Sequence, residues 1–263
     1  RPPPPAPPHP PTHPPPQPTP PTLTGRARDI RRPGSPHLAA EGAKVVVNYF
    51  NSQEQADETL NQIKAVGGEA IVVGGDMTRQ EDVDRLVAEA KAAFGDSVDI
   101  LVNVAGGIVA RKTLQEMDGD FFDFLMRLKV TSAFMVTKAV VPLMGGGGSI
   151  INFASQAGRD GGGPGASAYA AAKGAVMTFT RAMAKELGPS NIRVNSLCPG
   201  MISTVFHDTF TKDAVRTNVA NATALRREGR ADEVADTVAY LASEESSFLT
   251  GVNLDINGGL YYS

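Results

Sequence analysis

From residue 44 to residue 256 the chain alternates between short apolar runs rich in β-branched residues and longer stretches whose apolar residues recur at helical spacing. Strands separated by ten or more residues of helix pair in parallel, and a parallel sheet hides both faces beneath helices. Residues 44–49, 69–74, 98–104, 149–154, 192–197 and 252–256 are the predicted strands. Helices are predicted over residues 53–66, 81–94, 118–141, 169–187 and 232–243. In the second of these, Val83, Leu86, Val87, Ala90 and Phe94 form one stripe, as expected of a helix lying on a sheet. Gly67 with Gly68, and Pro142, supply stop signals. The fold class is therefore α/β with a doubly wound parallel sheet, and 263 residues suffice for one such domain.

The beginning of the chain breaks this regularity. Residues 1–22 contain fourteen prolines, which predicts an extended polyproline II or disordered arm, with a single domain over residues 23–263. A net charge of −3 gives no general attraction for nucleic acid or an anionic membrane. The one cysteine, Cys198, cannot form an internal disulfide, which suits a reducing cytoplasm, and its place between an apolar strand and a Pro-Gly turn reads as structural. No apolar run reaches the ~18 residues that span a bilayer, and no apolar signal-peptide core is present, so a cytoplasmic location is expected.

Chemistry concentrates in residues 155–173: a hydroxyl at a strand end, a glycine-rich loop, then Tyr169 and Lys173 one helical turn apart. The i,i+4 spacing puts the phenol and the ammonium on one helix face. Alone, such a pair is a solvated helix face. Beside Ser155, however, it makes a proton-transfer site, because a neighbouring cation lowers a phenol's pKa from its ordinary value near ~10. Upstream stands Asn103-Val-Ala-Gly106 after one strand, and downstream Asn195-Ser-Leu-Cys-Pro199-Gly200-Met-Ile-Ser-Thr204 after another.

In that order and spacing these segments resemble the short-chain dehydrogenase/reductase family, specifically the type that includes the 3-oxoacyl carrier-protein reductases. The resemblance runs from about residue 38 to residue 263. It implies a Rossmann-type sheet and hydride transfer between a nicotinamide cofactor and a carbonyl or secondary alcohol, with Ser155, Tyr169 and Lys173 as catalytic residues. By the same resemblance Gly25, Arg28, Ser52, Asp76, Met77, Asn103, Ala105 and Gly106 contact the cofactor. Pro199, Gly200, Ile202 and Thr204 lie by its carboxamide, and Tyr169 and Lys173 touch its ribose. The second predicted strand ends Asn48-Tyr49-Phe50-Asn51-Ser52 with no acid to hold a ribose 2′-hydroxyl, which together with Arg28 favours NADP(H). Small residues at the start of the 169–187 helix permit close approach either to the cofactor or to another subunit's helix, and the resemblance implies a homodimer or homotetramer.

Three departures accompany the resemblance. Thr22-Leu-Thr-Gly25 stands where the family ends its first central strand, but prolines precede it, and Asp29 and Arg31 occupy glycine positions of the phosphate loop. Pro33 and Pro36 are expected to interrupt the first helix, at about 3 kcal/mol each if inside it. A shifted reading frame or misassigned sequence over residues 1–37 accounts for that block. In the 118–141 helix, the family's Asn that supports a water chain behind the catalytic lysine is Lys129 here, either repelling Lys173 and altering the proton relay or pointing outward. Residues 201–228 occupy the place of the family's substrate lid. Substrates open to this reading are a 3-oxoacyl thioester, a generic ketone, or a sugar-derived keto acid or aldehyde held by Gln156, Arg159, Asp160 and His207. The rival class is a catalytically silent member acting through association.

Overall fold

The computed structural model describes residues 22–24, 31–104, 109–204 and 213–262, with side chains from residue 35 onward. Strands β1 (Thr22–Thr24), β2 (Val45–Tyr49), β3 (Ala70–Gly74), β4 (Ile100–Asn103), β5 (Gly148–Phe153), β6 (Ile192–Pro199) and β9 (Asn253–Ile256) form one parallel sheet in the order β3-β2-β1-β4-β5-β6-β9. The order reverses between β1 and β4, and at such a switch point the connections leave to opposite faces and open a crevice at the carboxyl ends of the strands.

Side-chain alternation explains why the strands read as unbroken apolar runs. On β2, Val45 and Val47 enter one core with Leu38, Ile63, Ile151 and Leu241, while Val46 enters another with Leu86, Leu101, Val136 and Val194. The first core lies beneath α1 (Arg31–Ala40), α2 (Gln53–Ala65) and α9 (Ala231–Ala242). The second lies beneath α3 (Gln80–Phe94), α5 (Ser132–Val140) and α7 (Ser167–Leu187). Helices cover both faces, so apolar residues occupy successive strand positions.

At the N-terminal end the structure differs from expectation. The three residues of β1 pair with β2 on one side and β4 on the other. The helix expected to break at Pro33 and Pro36 runs unbroken as α1, with Pro36 inside it. Pro33 falls in the first turn, where backbone amides have no intrahelical partner, so it forfeits no bond. Only Pro36 removes one, and the burial of Leu38 and Ala39 offsets it. Residues 25–30, with Gly25, Arg28 and Asp29, lie outside the described residues, as do residues 1–21 of the proline-rich arm.

The long helix predicted over 118–141 is three pieces. Asp118 caps α4 (Gly119–Met126) by accepting from the Phe121 amide at 2.7 Å. A π-helical turn, Arg127–Thr131, follows, and α5 completes it. In that turn the Ser132 amide donates to the Arg127 carbonyl, five residues back, and the Ser132 hydroxyl donates to the Leu128 carbonyl at 2.7 Å. The widened turn rotates two successive residues, Leu128 and Lys129, into the interior. In the described parts of residues 201–230 the chain is more regular than its sequence suggests: β7 (Ile202–Ser203) pairs with β8 (Gly229–Arg230), and α8 (Asp213–Ala222) is tied to Glu228 by Nε and Nη2 of Arg216 at 2.7 and 2.6 Å.

Candidate active site

β5 ends at Phe153, and its last carbonyl accepts the Lys173 ammonium at 2.5 Å. Two residues on, Ser155 is held from both sides. The Ala157 amide donates to its Oγ at 3.2 Å, and the neighbouring Gln156 amide donates to the Pro199 carbonyl of β6 at 3.1 Å. Sequence reading missed the short helix that follows, α6 (Ala157–Asp160), because four residues are too few to show a period. It rests directly on α7 at Gly158, where a methyl group would lie 2.9 Å from both the Gly174 nitrogen and the Lys173 carbonyl carbon. Backbone against backbone, these helices fix Ser155 relative to Lys173.

Arg159 and Asp160, read as part of a polar substrate pocket, serve the scaffold instead. Arg159 Nε donates to Asp255 at 2.7 Å and its Nη2 to the Asn253 carbonyl, pinning α6 to β9. Asp160 closes the glycine loop by accepting from the Gly162 amide and from Gln156 Nε2, each at 2.8 Å. Of that group Gln156 keeps a buried oxygen, Oε1, without a hydrogen-bond partner among the described residues. His207 lies outside them. Cys198 is buried and its thiol is pushed up by that burial, in keeping with a structural role.

Tyr169 projects from α7 toward Ser155, whose hydroxyl is near enough to favour its phenolate. Burial pushes the phenol above its ordinary value of 10.0, and the Ser155 hydroxyl works in the opposite sense. The i,i+4 spacing led us to expect an acidified phenol. The direction is reversed because enclosing the hydroxyl penalises the phenolate, a cost that helical spacing does not reveal. Lys173, 3% exposed, has its Nζ 5.8 Å from the centre of the Tyr169 ring. Lys129 is no surface lysine: it is 1% exposed, and its Nζ stands 5.9 Å from the same ring centre.

Beside this cluster the crevice at the switch point is lined by Asn48, Phe50, Asp76, Met77, Asn103 and Ser132, among others. Asp76 turns Oδ1 to the Thr78 amide and hydroxyl at 3.0 and 2.9 Å, which fixes the loop after β3. Asn48 spans from β2 to the carbonyls of Val73 and Gly75 at 3.1 and 3.2 Å. The carboxamide nitrogen of Asn103 is spent on Thr137 and Asn152 at 3.1 and 3.0 Å, and Asn152 passes the chain to Thr180 at 3.0 Å. Sequence reading missed Asn152 and Thr180, since a polar residue inside an apolar strand or helix shows its partner only in three dimensions. Ser52 caps the start of α2 without a side-chain capping bond, while Pro199, Gly200, Ile202 and Thr204 follow one another across the end of β6, Thr204 donating to the Ile202 carbonyl at 3.2 Å. Ala105 and Gly106 lie outside the described residues. A crevice at the switch point, lined by Asp76, Met77 and Asn103, lies where a parallel sheet of this order receives a dinucleotide.

These features define a Rossmann-type oxidoreductase scaffold, and the chain belongs to the short-chain dehydrogenase/reductase family. A family model described as "Enoyl-(Acyl carrier protein) reductase" matches residues 32–261. The 3-oxoacyl-[acyl-carrier-protein] reductase of Synechocystis sp. is 36% identical over 242 residues, covering 90% of this chain and 95% of that protein. Nodulation protein G of Azospirillum brasilense is 38% identical over 227 residues, covering 86% and 91%. Among solved structures, a short-chain dehydrogenase/reductase from Serratia marcescens superposes with a TM-score of 0.86 at 30% identity, covering 92% of this chain and 97% of its own. No helix among the described residues is long and apolar enough to cross a membrane.

Proposed function

We propose that the protein is an NADP(H)-dependent reductase acting reversibly on a carbonyl or secondary alcohol, with a 3-oxoacyl thioester as substrate class. One observation carries the reading: two neighbouring hydroxyls, Ser155 and Tyr169, stand at the end of β5 with the Lys173 ammonium anchored nearby on the Phe153 carbonyl. Together they offer two donors to one substrate oxygen. In reduction Tyr169 gives its proton to that oxygen as negative charge develops there, while Ser155 polarises it. Lys173 stabilises the phenolate left behind and holds ribose hydroxyls. NADPH supplies the hydride when bound.

For the cofactor, Asp76 and Met77 take the adenine end; Asn103, Ala105 and Gly106 the middle; and Pro199, Gly200, Ile202 and Thr204 the carboxamide. Gly25, Arg28 and Ser52 are assigned to the phosphates. The preference for NADP(H) follows from the end of β2, where Asn48 is committed to β3 and no carboxylate follows through Ser52 to repel a 2′-phosphate. The thioester is favoured because several relatives carry that activity in their names and because Arg159 and Asp160 are committed to the scaffold. Exposed Phe122, Phe124 and Phe134 on α4 and α5 support a homodimer or homotetramer, and a cytoplasmic location suits the free cysteine.

Initial rates with a 3-oxoacyl thioester, simple ketones and sugar-derived keto acids, each with NADPH and with NADH, test the proposal. Faster loss of NADPH absorbance with the thioester is expected. A clear preference for NADH or for a keto acid would overturn the respective half.

A further inference from the structure

Lys129 is the largest fully buried side chain among the described residues, and a lysine is a poor choice for filling space. Leucine or methionine would pack the same volume without an amine to desolvate. The π-helical turn that carries it packs on α7, and there its Nζ lies 5.9 Å from the Tyr169 ring centre, against 5.8 Å for Lys173. Two buried amines thus lie at similar distances from one aromatic ring.

The other charged residues on the packed elements are open to solvent. Asp120 and Asp123 on α4, Arg127 on the turn itself, Lys138 on α5, and Arg181, Lys185 and Glu186 on α7 are all exposed.

We propose that Lys129 is a positioning residue for proton transfer, which acts with Lys173 to hold the proton affinity of Tyr169 and to stabilise its phenolate. The step balances simply. The proton leaves the Tyr169 oxygen for the substrate oxygen, the O–H electron pair stays on Tyr169, and Lys129 keeps its own proton. An opposite charge within about 4–6 Å of a phenolate favours the ionised form by a pH unit or more, and both amines stand within 6 Å of the centre of the ring that carries the hydroxyl. The inference rests on reading Tyr169 as the proton donor.

The test is an ultraviolet titration of tyrosinate in the full chain, subtracting from each protein its Tyr169→Phe counterpart so that only Tyr169 is read. In Lys129→Met the Tyr169 midpoint should rise by about one pH unit, whereas Lys129→Arg, which keeps the charge, should stay near the parent. A midpoint in Lys129→Met that is unchanged or lower overturns the proposal. Should that variant fail to fold, Lys129→Gln takes its place under the same two outcomes. In turnover, the neutral variant should lose about three- to tenfold in kcat with KM unchanged, as for a weakened general acid. The titration needs neither cofactor nor substrate, so the two readings separate. A shifted midpoint in a chain that reduces no carbonyl keeps Lys129 and removes the reductase, and an active parent with an unshifted midpoint does the reverse.

Discussion

Gly158→Ala tests whether the contact between α6 and α7 positions the reaction. The added methyl would lie 2.9 Å from the Gly174 nitrogen and the Lys173 carbonyl carbon and 3.0 Å from Met177 Sδ. The sulfur can swing aside, but two of the three obstacles are backbone. Ordinary carbon contacts begin at about 3.5 Å, so one helix must move by about 0.6 Å or more. Whichever moves, the distance between Ser155, at the head of α6, and Lys173, on α7, changes by a similar amount. Misplacement on the scale of 1 Å costs about a hundredfold, which sets the expected loss of kcat at about ten- to a hundredfold. Overpacking also costs about 1–3 kcal/mol, a fall in Tm of roughly 2–10 °C for a domain of this size. Initial rates from NADPH absorbance and thermal melts read both effects. Gly119→Ala is the control, since its methyl meets nothing within 4 Å. Parental kcat and Tm in Gly158→Ala would refute the reasoning.

The raised pKa of Tyr169 fixes the sense of the pH dependence. Reduction uses the protonated phenol and should stay level between about pH 6 and pH 9, while alcohol oxidation, which needs the phenolate, should climb with pH across that range; kcat/KM profiles in both directions check this, and a reduction rate climbing with pH would contradict it. Arg159→Ala should cost about 2–3 kcal/mol in urea unfolding, because it strands Asp255, 18% exposed, and unpins Ser155's loop from β9. Glu233, held at about 2 by Arg227 and Arg230, has its folded pKa below the unfolded value of 4.5. Its stabilisation is therefore present above 4.5 and lost as pH falls toward about 2. Discounted for solvent screening it amounts to about 1 kcal/mol, which Glu233→Gln should remove at neutral pH but not at the acid end of a pH series of melts.

The sheet was legible because its strands are buried on both faces: uninterrupted apolar runs separated by helical stripes have few other solutions. The pairing of Ser155 with Tyr169 was legible too, since strand end, loop and helix start must converge there. Burial of single side chains was not. Nothing in the spacing of Lys129 distinguishes inside from outside, because the π-helical turn shifts the helical phase just at that residue. Arg159 and Asp160 looked like substrate ligands for the same reason that they brace a loop, since exposed and structural ion pairs share one vocabulary. The direction of the Tyr169 shift escaped because charge proximity can be read from i,i+4 spacing while desolvation cannot. At the N-terminal end, proline counting overstated the damage to α1, where Pro33 sits in a turn that wants no amide.

The most direct measurement compares the parent with Tyr169→Phe, which keeps the ring and its packing and removes only the hydroxyl. NADPH should bind both proteins saturably in a fluorescence titration, while carbonyl reduction falls by about a hundredfold or more in the variant. Undiminished turnover in Tyr169→Phe, or no saturable NADPH binding by the parent, would contradict the account.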